Sequence, residues 1–213
     1  MRSGLPSSVR DMRWLLPRVV DPGPLYRMHR RDHQAASFGN RSIFRFDPPV
    51  HRRNDFGTFY AATSPAGAFL ETLGSIRPVP EHLIRERVIT NLIVEHDFLI
   101  ADLTHESVIR GYGDLSASGD FRFTQDFAAM LWDAGFAGLQ YFPSHHQRSG
   151  EFAVALLAEP GVQDDLFKTG DPEPIRPWLL HEVKSRFDID VFDADKLDHG
   201  LLPWAQGDPI SLA

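Results

Sequence analysis

The chain has 213 residues, of which 42% are hydrophobic, with a formal net charge of −7 at pH 7 and no cysteine. This length fits one globular domain that buries its core without a metal or a disulfide, and the lack of cysteine excludes disulfide frameworks, thiolate zinc sites and cysteine catalysis. The acidic balance argues against nucleic acid as a direct partner, whereas seven arginines between residues 27 and 53 favour a small anionic ligand.

The N-terminal part of the chain shows no targeting or membrane signal. Its arginines are not followed by the long apolar stretch of a signal peptide, and no apolar run approaches the roughly 20 residues of a membrane span. We therefore expect a cytoplasmic protein without a membrane partner. Residues 1–23 are interrupted by Pro and Arg and are expected to form an irregular arm.

A first strand is predicted over residues 24–30, where apolar and polar side chains alternate. The alternation places Arg27 on the same face as Leu25, which makes Arg27 a candidate for a half-buried position. A half-buried arginine usually has an anionic partner, which is either a protein carboxylate or a ligand. Residues 31–54 are polar and are expected to form a long loop of the kind that often carries function.

A strand over residues 57–62 is followed by a well-marked helix start. The Ser64 hydroxyl suits the N-cap, and Pro65 suits the first helical position. The apolar stripe of this helix has the spacing i, i+3, i+4 and i+7 and consists of Ala66, Phe69, Leu70 and Leu73. Glu71 projects from the opposite side of the helix, so the pattern alone indicates a solvated glutamate.

The second half of the chain mixes strands and helices without a regular alternation. The predicted elements are apolar strands at 88–94 and 98–103, a helix at 124–134 closed by Gly135, and strands at 138–141 and 152–157. This mixture favours an α+β fold over a doubly wound parallel sheet. We divide the chain into the arm, a domain over residues 24–160 and a C-terminal extension over residues 161–213. An amphipathic segment at 178–187 either packs on the domain or binds a partner.

Standard catalytic and phosphate-binding motifs are absent from the sequence, including GxxxxGK, GxGxxG, HExxH and GxSxG. His145 and His146 are adjacent, so on a strand they would point to opposite faces, and no third ligand follows at a recognisable spacing. We therefore expect no metal and no cofactor. Taken singly, Tyr60 suits a core aromatic residue, Ser144 a turn residue, and Arg45 a turn before two prolines.

Taken together, these segments resemble the RES domain family. The sequences RFDPP at 45–49, FGTFYAA at 56–62 and SPAGAFLET at 64–72 are similar to the family's RF(D/N)PP, FGxLYAA and SPxxAxxET segments. GLQY at 138–141, followed by Ser144, is similar to its late G-[IL]-x-Y…S segment. The resemblance covers about residues 24–157, and its most specific part is the block from 45 to 72.

The resemblance implies the fold and the biological role. The fold is ADP-ribosyltransferase-like, with a mixed or antiparallel β core and flanking helices. The protein would be the toxin of a toxin–antitoxin pair, blocked by a helix-turn-helix (Xre-type) antitoxin. It would consume NAD as a substrate by hydrolysis or by phosphorolysis, with inorganic phosphate as the co-substrate in the second case. Formation of a homo-oligomer stays open.

The resemblance also assigns the residues for which the family is named. The Arg falls on Arg27 or Arg45, the Glu on Glu71, and the Ser on Ser144, with Ser149 as a competitor. We predict Glu71, Arg27 and Ser144 as catalytic residues, and Arg45 and Tyr60 as substrate-binding residues.

The chemistry of these side chains agrees with the assignment. Cleavage of the nicotinamide–ribose bond passes through an oxocarbenium-like state that a fixed carboxylate such as Glu71 stabilises. Arginines bind a pyrophosphate in a planar, bidentate manner, and an aromatic ring such as Tyr60 stacks on nicotinamide. Two alternatives remain, which are a mono-ADP-ribosyltransferase that modifies a protein target and a non-catalytic module that binds NAD.

Overall fold

The computed structural model describes residues 16–20, 24–95, 97–106, 108–109, 121–143 and 150–193. Its strands are β1 Leu16–Val20, β2 Pro24–Arg30, β3 Ser37–Phe38, β4 Gly57–Ala62, β5 Val79–Pro80, β6 Arg87–Val94, β7 Phe98–Asp102, β8 Gly138–Tyr141, β9 Ala153–Ala158, β10 Gly161–Val162, β11 Phe167–Thr169, β12 Glu173–Pro174 and β13 Val191–Phe192. The helices described from end to end are α1 Pro65–Leu73, α2 Glu81–Arg85, α3 Phe121–Asp133 and α4 Pro177–Phe187.

One mixed sheet organises the described residues. Its strand order is β1-β7-β8-β9-β4-β2-β6-β11, and β12 also pairs with β6. The β7–β8 pair is parallel, with α3 lying between the two strands in the chain, and the other ladders of this sheet are antiparallel. A single parallel pair in an otherwise antiparallel sheet is an α+β arrangement. The predicted α+β fold with a mixed β core and flanking helices is therefore confirmed.

Helix α1 forms as the sequence predicts, because its start signal and its apolar stripe are both local. The Ser64 hydroxyl accepts a hydrogen bond from the backbone N–H of Gly67 at 2.9 Å, and Pro65 is the first helical residue. The predicted stripe of Ala66, Phe69, Leu70 and Leu73 is at most 1% exposed. The stripe packs on one face of the sheet with Met28 of β2 and Ala62 of β4.

Helix α3 packs on the same face of the sheet as α1, since Ala62 of the α1 cluster pairs directly with Ala153 of the α3 cluster. Phe127 and Leu131 of this helix are buried in one cluster with Phe46, Phe56 and Tyr141. The helix begins three residues before the predicted residue 124, and Gly135 follows its end with a φ of +82°. Tyr141 is the last residue of β8, and its hydroxyl reaches Glu71 on α1. The fold therefore brings α1 close to the end of β8.

Several elements at the sheet edges differ from the sequence prediction. Residues 16–20, expected in an irregular arm, form β1 and pair with β7 along five residues. Residues beyond 160, expected in an extension, contribute β11 and β12 to β6. Edge pairing uses backbone N–H and C=O groups, so it leaves little trace in a pattern of side chains. Among the residues described, no helix combines the length and the apolar character needed to cross a bilayer.

The Gly138→Ala substitution is expected to destabilise the fold. A Cβ at this position would lie 2.3 Å from the carbonyl oxygen of Ala155 and 2.9 Å from the Cα of Leu156 on the paired strand. Backbone atoms in a central strand cannot move aside cheaply, so we expect a loss of about 3 kcal/mol in unfolding free energy, measured by urea titration. Gly135→Ala is the control, because its Cβ meets nothing within 4 Å and only its positive φ is strained. A loss of unfolding free energy in Gly135→Ala as large as that in Gly138→Ala would contradict the steric argument.

Candidate active site

A cavity of about 400 Å³ opens between β2, β4, α1 and the turn that precedes β4. The four predicted site residues inside the described part of the chain all line it, namely Arg27, Arg45, Tyr60 and Glu71. The predicted catalytic Ser144 and its competitor Ser149 lie outside the described residues, as do His145 and His146. The structure thus brings together side chains that are up to 44 positions apart in the chain, from Arg27 to Glu71.

A second cavity of about 690 Å³ adjoins the first. The residues that border both cavities include Arg27, Phe44, Tyr60, Thr72 and Arg87. The second cavity is also lined by Arg30, His33 and Arg41, together with Asp32, which forms an ion pair with Arg30 at 3.1 Å. The sequence prediction missed Arg87, because a single arginine at the start of a strand carries no distinguishing pattern. The two cavities form one cleft, which has Glu71 at one end and the arginines Arg30 and Arg41 at the other.

Glu71 lies at the inner end of the cleft and is not the solvated glutamate that the helical pattern alone indicates. Its Oε1 atom accepts a hydrogen bond of 2.7 Å from the hydroxyl of Tyr141. Its Oε2 atom is buried and has no hydrogen-bond partner among the residues described. Burial raises the pKa of Glu71 to about 7, against the opposing effects of the Tyr141 hydrogen bond and the Arg45 charge. The carboxyl group therefore titrates near pH 7, and one of its oxygens has no hydrogen-bond partner among the described residues.

Tyr141 is a site residue that the sequence prediction passed over. It ends β8, is 1% exposed, and packs its ring against Phe46 at a centroid distance of 4.9 Å. Burial and the neighbouring Glu71 carboxylate raise its pKa well above the ordinary value. The phenol therefore keeps its proton and acts as a fixed donor to Glu71. A tyrosine at the end of a buried strand needs a partner for its hydroxyl, which is the signal that was available in the sequence.

Arg27 is a half-buried cation at the junction of the two cavities. Its Nη1 donates to the carbonyl oxygens of Ala35 at 2.8 Å and Ser37 at 2.7 Å, and its guanidinium lies 4.8 Å from the centroid of the Phe59 ring. Burial lowers its pKa to about 10, so it stays charged at neutral pH. Among the described residues, no carboxylate forms an ion pair with it. Of the two partners that the sequence left open for Arg27, an anionic ligand therefore fits better than a protein carboxylate.

Arg45 reaches the cleft from a tight turn that Asp47 holds in place. The Oδ2 atom of Asp47 accepts hydrogen bonds from the backbone N–H groups of Ile43 and Phe44, both at 3.0 Å. Its Oδ1 atom accepts from the Tyr60 hydroxyl at 3.1 Å, and that hydroxyl in turn accepts from the Phe46 N–H at 2.9 Å. The turn expected around Arg45 is confirmed, and its anchor is a carboxylate that is only 1% exposed.

Tyr60 therefore has two functions in the geometry. Its hydroxyl forms hydrogen bonds with Asp47 and Phe46 in the turn. Its ring lines both cavities and packs edge to face against Phe44, with 5.9 Å between the ring centroids. Burial raises the pKa of Tyr60 well above its ordinary value, so the hydroxyl remains a donor to Asp47. The ring borders the cleft, and its contact with a planar ligand stays a prediction.

Asp47→Ala is expected to destabilise the protein by about 3 kcal/mol, since three part-buried hydrogen bonds lose the carboxylate that accepts them. Tyr60→Phe removes one of these hydrogen bonds and should cost about 1 kcal/mol. Urea unfolding of both variants measures the two values. Equal losses for both variants would contradict the role of Asp47 as the anchor of the turn.

The family relationship follows from comparisons with known proteins. The sequence model of the RES domain matches residues 24–178. The fold is similar to a chain in the crystal structure of the M. tuberculosis MbcT–MbcA toxin–antitoxin complex, with a TM-score of 0.55 and 17% identity over 77% of this chain and 90% of that one. No curated protein matches the sequence significantly. The structural likeness shows a common fold, and the match over most of the chain shows that this protein belongs to the RES domain family.

Proposed function

We propose that this protein cleaves the nicotinamide–ribose bond of NAD. The observation that carries the proposal is the Glu71 carboxylate, whose Oε1 is held by Tyr141 and whose buried Oε2 has no partner among the described residues. The carboxylate shares its cavity with the cations Arg27 and Arg45. A fixed anion close to fixed cations suits a substrate that has a reacting sugar next to a pyrophosphate.

The reaction builds positive charge on the ribose as the bond from C1′ to the nicotinamide nitrogen breaks. The bonding electron pair leaves with nicotinamide, which departs as a neutral base and needs no strong general acid. The ionised Glu71 binds the ribose hydroxyls and stabilises the oxocarbenium-like charge. An acceptor oxygen from water, phosphate or a protein side chain then bonds to C1′, and its proton passes to solvent when the acceptor carries one. NAD is itself consumed, so the chemistry requires no separate cofactor.

The shape of the cleft supports a dinucleotide. Ligand sites commonly have volumes of roughly 300–1,000 Å³, and the cavity at Glu71 has about 400 Å³. We assign the nicotinamide ribose to this cavity, with the Tyr60 ring against nicotinamide. The pyrophosphate then lies near Arg27 at the junction, and the rest of the molecule extends into the cavity of about 690 Å³. Ser144 stays a prediction for a hydrogen bond to a phosphate or ribose oxygen.

The biological role that we propose is that of a toxin controlled by an antitoxin. Support comes from the structure with a similar fold, which is a toxin–antitoxin complex. The helix-turn-helix type of the antitoxin is part of the proposal and rests on the family resemblance. Expression of the wild-type chain should arrest cell growth and lower cellular NAD. Growth without arrest in cells that accumulate the folded protein would contradict the toxin role.

Mass spectrometry of the products tests the chemistry. Purified protein is incubated with NAD, with and without inorganic phosphate, and nicotinamide and the ADP-ribosyl products are identified. ADP-ribose indicates hydrolysis, ADP-ribose phosphate indicates phosphorolysis, and a protein band that gains the mass of ADP-ribose indicates transfer to a protein target. Binding of NAD by a folded protein without release of nicotinamide under any of these conditions would overturn the proposal in favour of a non-catalytic module.

A further inference from the structure

Helix α1, which carries Glu71, is hydrogen-bonded near both of its ends to residues at one end of the β8–β9 strand pair. Near its C-terminus, Glu71 accepts the hydrogen bond from Tyr141 at the end of β8. At its N-cap, the Ser64 hydroxyl donates to the Oε2 atom of Glu151, two residues before β9. Tyr141 and Ala153 are direct partners in the β8–β9 ladder, so both hydrogen bonds lie at the same end of this strand pair.

Glu151 also connects α1 to helix α4. Its Oε1 atom accepts a hydrogen bond from Nη2 of Arg186 at 2.6 Å. The Glu151 side chain is buried at 7% exposure, whereas the Arg186 side chain lies at the surface with 40% exposure. The two oxygens of one buried carboxylate therefore join the N-cap of α1 to the last turn of α4. A carboxylate at this end of α1 also interacts favourably with the helix dipole.

Helix α4 also packs against α1 through apolar side chains. Leu179 and Val183 are at most 1% exposed and lie in one cluster with Phe69 and Leu70 of α1. Almost all of α4 follows residue 178, where the match to the RES domain ends. A helix at the margin of the family match is thus joined to the helix that carries the candidate catalytic carboxylate.

We propose that Glu151 and Arg186 are positioning residues that set the location of the Glu71 carboxylate by fixing the N-terminus of α1. Glu71 lies seven residues, or about two helical turns, after Ser64, so a shift at the N-cap is transmitted along a short rigid helix. Arg27 and Arg45 lie on β2 and on the turn before β4, and neither is carried by α1. Loosening α1 therefore impairs the chemical step more than the binding of NAD. This inference rests on the proposed function.

The kinetic test compares the Glu151→Gln and Arg186→Met variants with the wild-type protein. Misplacement of a catalytic group by about 1 Å costs up to about 100-fold in rate, so we expect kcat for nicotinamide release to fall about 10-fold or more, with KM for NAD changed less than about 2-fold. The double variant should lose little kcat beyond either single variant, because the contact that both changes break is the Glu151–Arg186 ion pair, whereas the other ion pair of Arg186, with Glu182, lies within α4. Lys184→Met is the matched control, since Lys184 lies on α4 but bonds Asp188 and Asp190 instead of Glu151.

A second measurement separates positioning from stability and needs no NAD. Hydrogen exchange of the backbone amides of residues 66–71 is followed in the free proteins, with the folded fraction checked by thermal unfolding. We expect faster exchange in the first turn of α1 for both variants and no change for Lys184→Met. Unchanged exchange would overturn the proposal, and so would faster exchange without a fall in kcat per folded molecule. If the wild-type protein releases no nicotinamide, the proposed function fails, and the exchange data alone decide whether Glu151 and Arg186 fix α1.

Discussion

Replacing Glu71 with glutamine is expected to lower kcat/KM for nicotinamide release by about 100- to 1,000-fold, the usual cost of losing one electrostatic contact to a transition state. The amide has nearly the same shape, and its oxygen still accepts the hydrogen bond from Tyr141, so the cleft keeps its geometry. What disappears is the negative charge beside the ribose. Steady-state release of nicotinamide measures the loss, and calorimetric titration should show NAD affinity within a few-fold of wild type because Arg27 and Arg45 are intact.

Glu159→Gln provides the control for this substitution. Glu159 is an exposed carboxylate just beyond β9 and borders neither cavity of the cleft. The control should retain wild-type activity, which shows that loss of a negative charge elsewhere in an acidic protein has no effect. A Glu71→Gln protein that retained more than about a tenth of wild-type kcat/KM would exclude Glu71 as the stabilising carboxylate.

The stability of the protein is expected to depend on pH through the same residue. Burial raises the pKa of Glu71 from 4.5 to about 7. The folded protein therefore holds this proton more tightly than the unfolded chain, and the resulting stabilisation is complete below about pH 4.5 and is lost as the pH rises through about 7. Between about pH 5.5 and pH 8.5, wild type should lose about 2 kcal/mol of unfolding free energy relative to Glu71→Gln.

Urea unfolding of the two proteins at both pH values measures this difference. The comparison cancels the other titrating groups, including the ten histidines, because they are common to both proteins. Glu71→Gln should be the more stable protein at the higher pH, since it does not bury an ionised carboxylate. A difference in unfolding free energy that stays constant with pH would show that the Glu71 carboxyl titrates normally.

The parts of the fold that the sequence predicts are those with local signals. Ser64, Pro65 and the four-residue apolar stripe define α1 without reference to the rest of the molecule, and the structure confirms each of them. The strand at 57–62 agrees residue for residue with β4. The edge strands β1, β11 and β12 were not predicted, because their pairing depends on which neighbour leaves its backbone groups open.

Four of the residues that line the cleft, Arg27, Arg45, Tyr60 and Glu71, were predicted from the sequence, but their geometry was not. Helical projection places Glu71 off the apolar stripe, yet only the three-dimensional structure shows that this side faces Tyr141 instead of water. Asp47 falls in the turn predicted around Arg45, and its function as the acceptor for Tyr60 depends on a contact across 13 positions of the chain. Polar residues that meet through the fold leave no periodic pattern, since periodicity reports only on burial within one element.

The pH dependence of kcat/KM for nicotinamide release tests the central claim most directly, because it reports the ionisation of the free enzyme. With Glu71 active as the carboxylate, the rate should rise with pH about a midpoint near 7 in the wild-type protein. Since the Tyr141 hydrogen bond lowers the pKa of Glu71, the midpoint should move to higher pH in Tyr141→Phe. A profile that is flat through this range, or a midpoint that Tyr141→Phe leaves unchanged, would contradict the assignment of Glu71 as the catalytic carboxylate held by Tyr141.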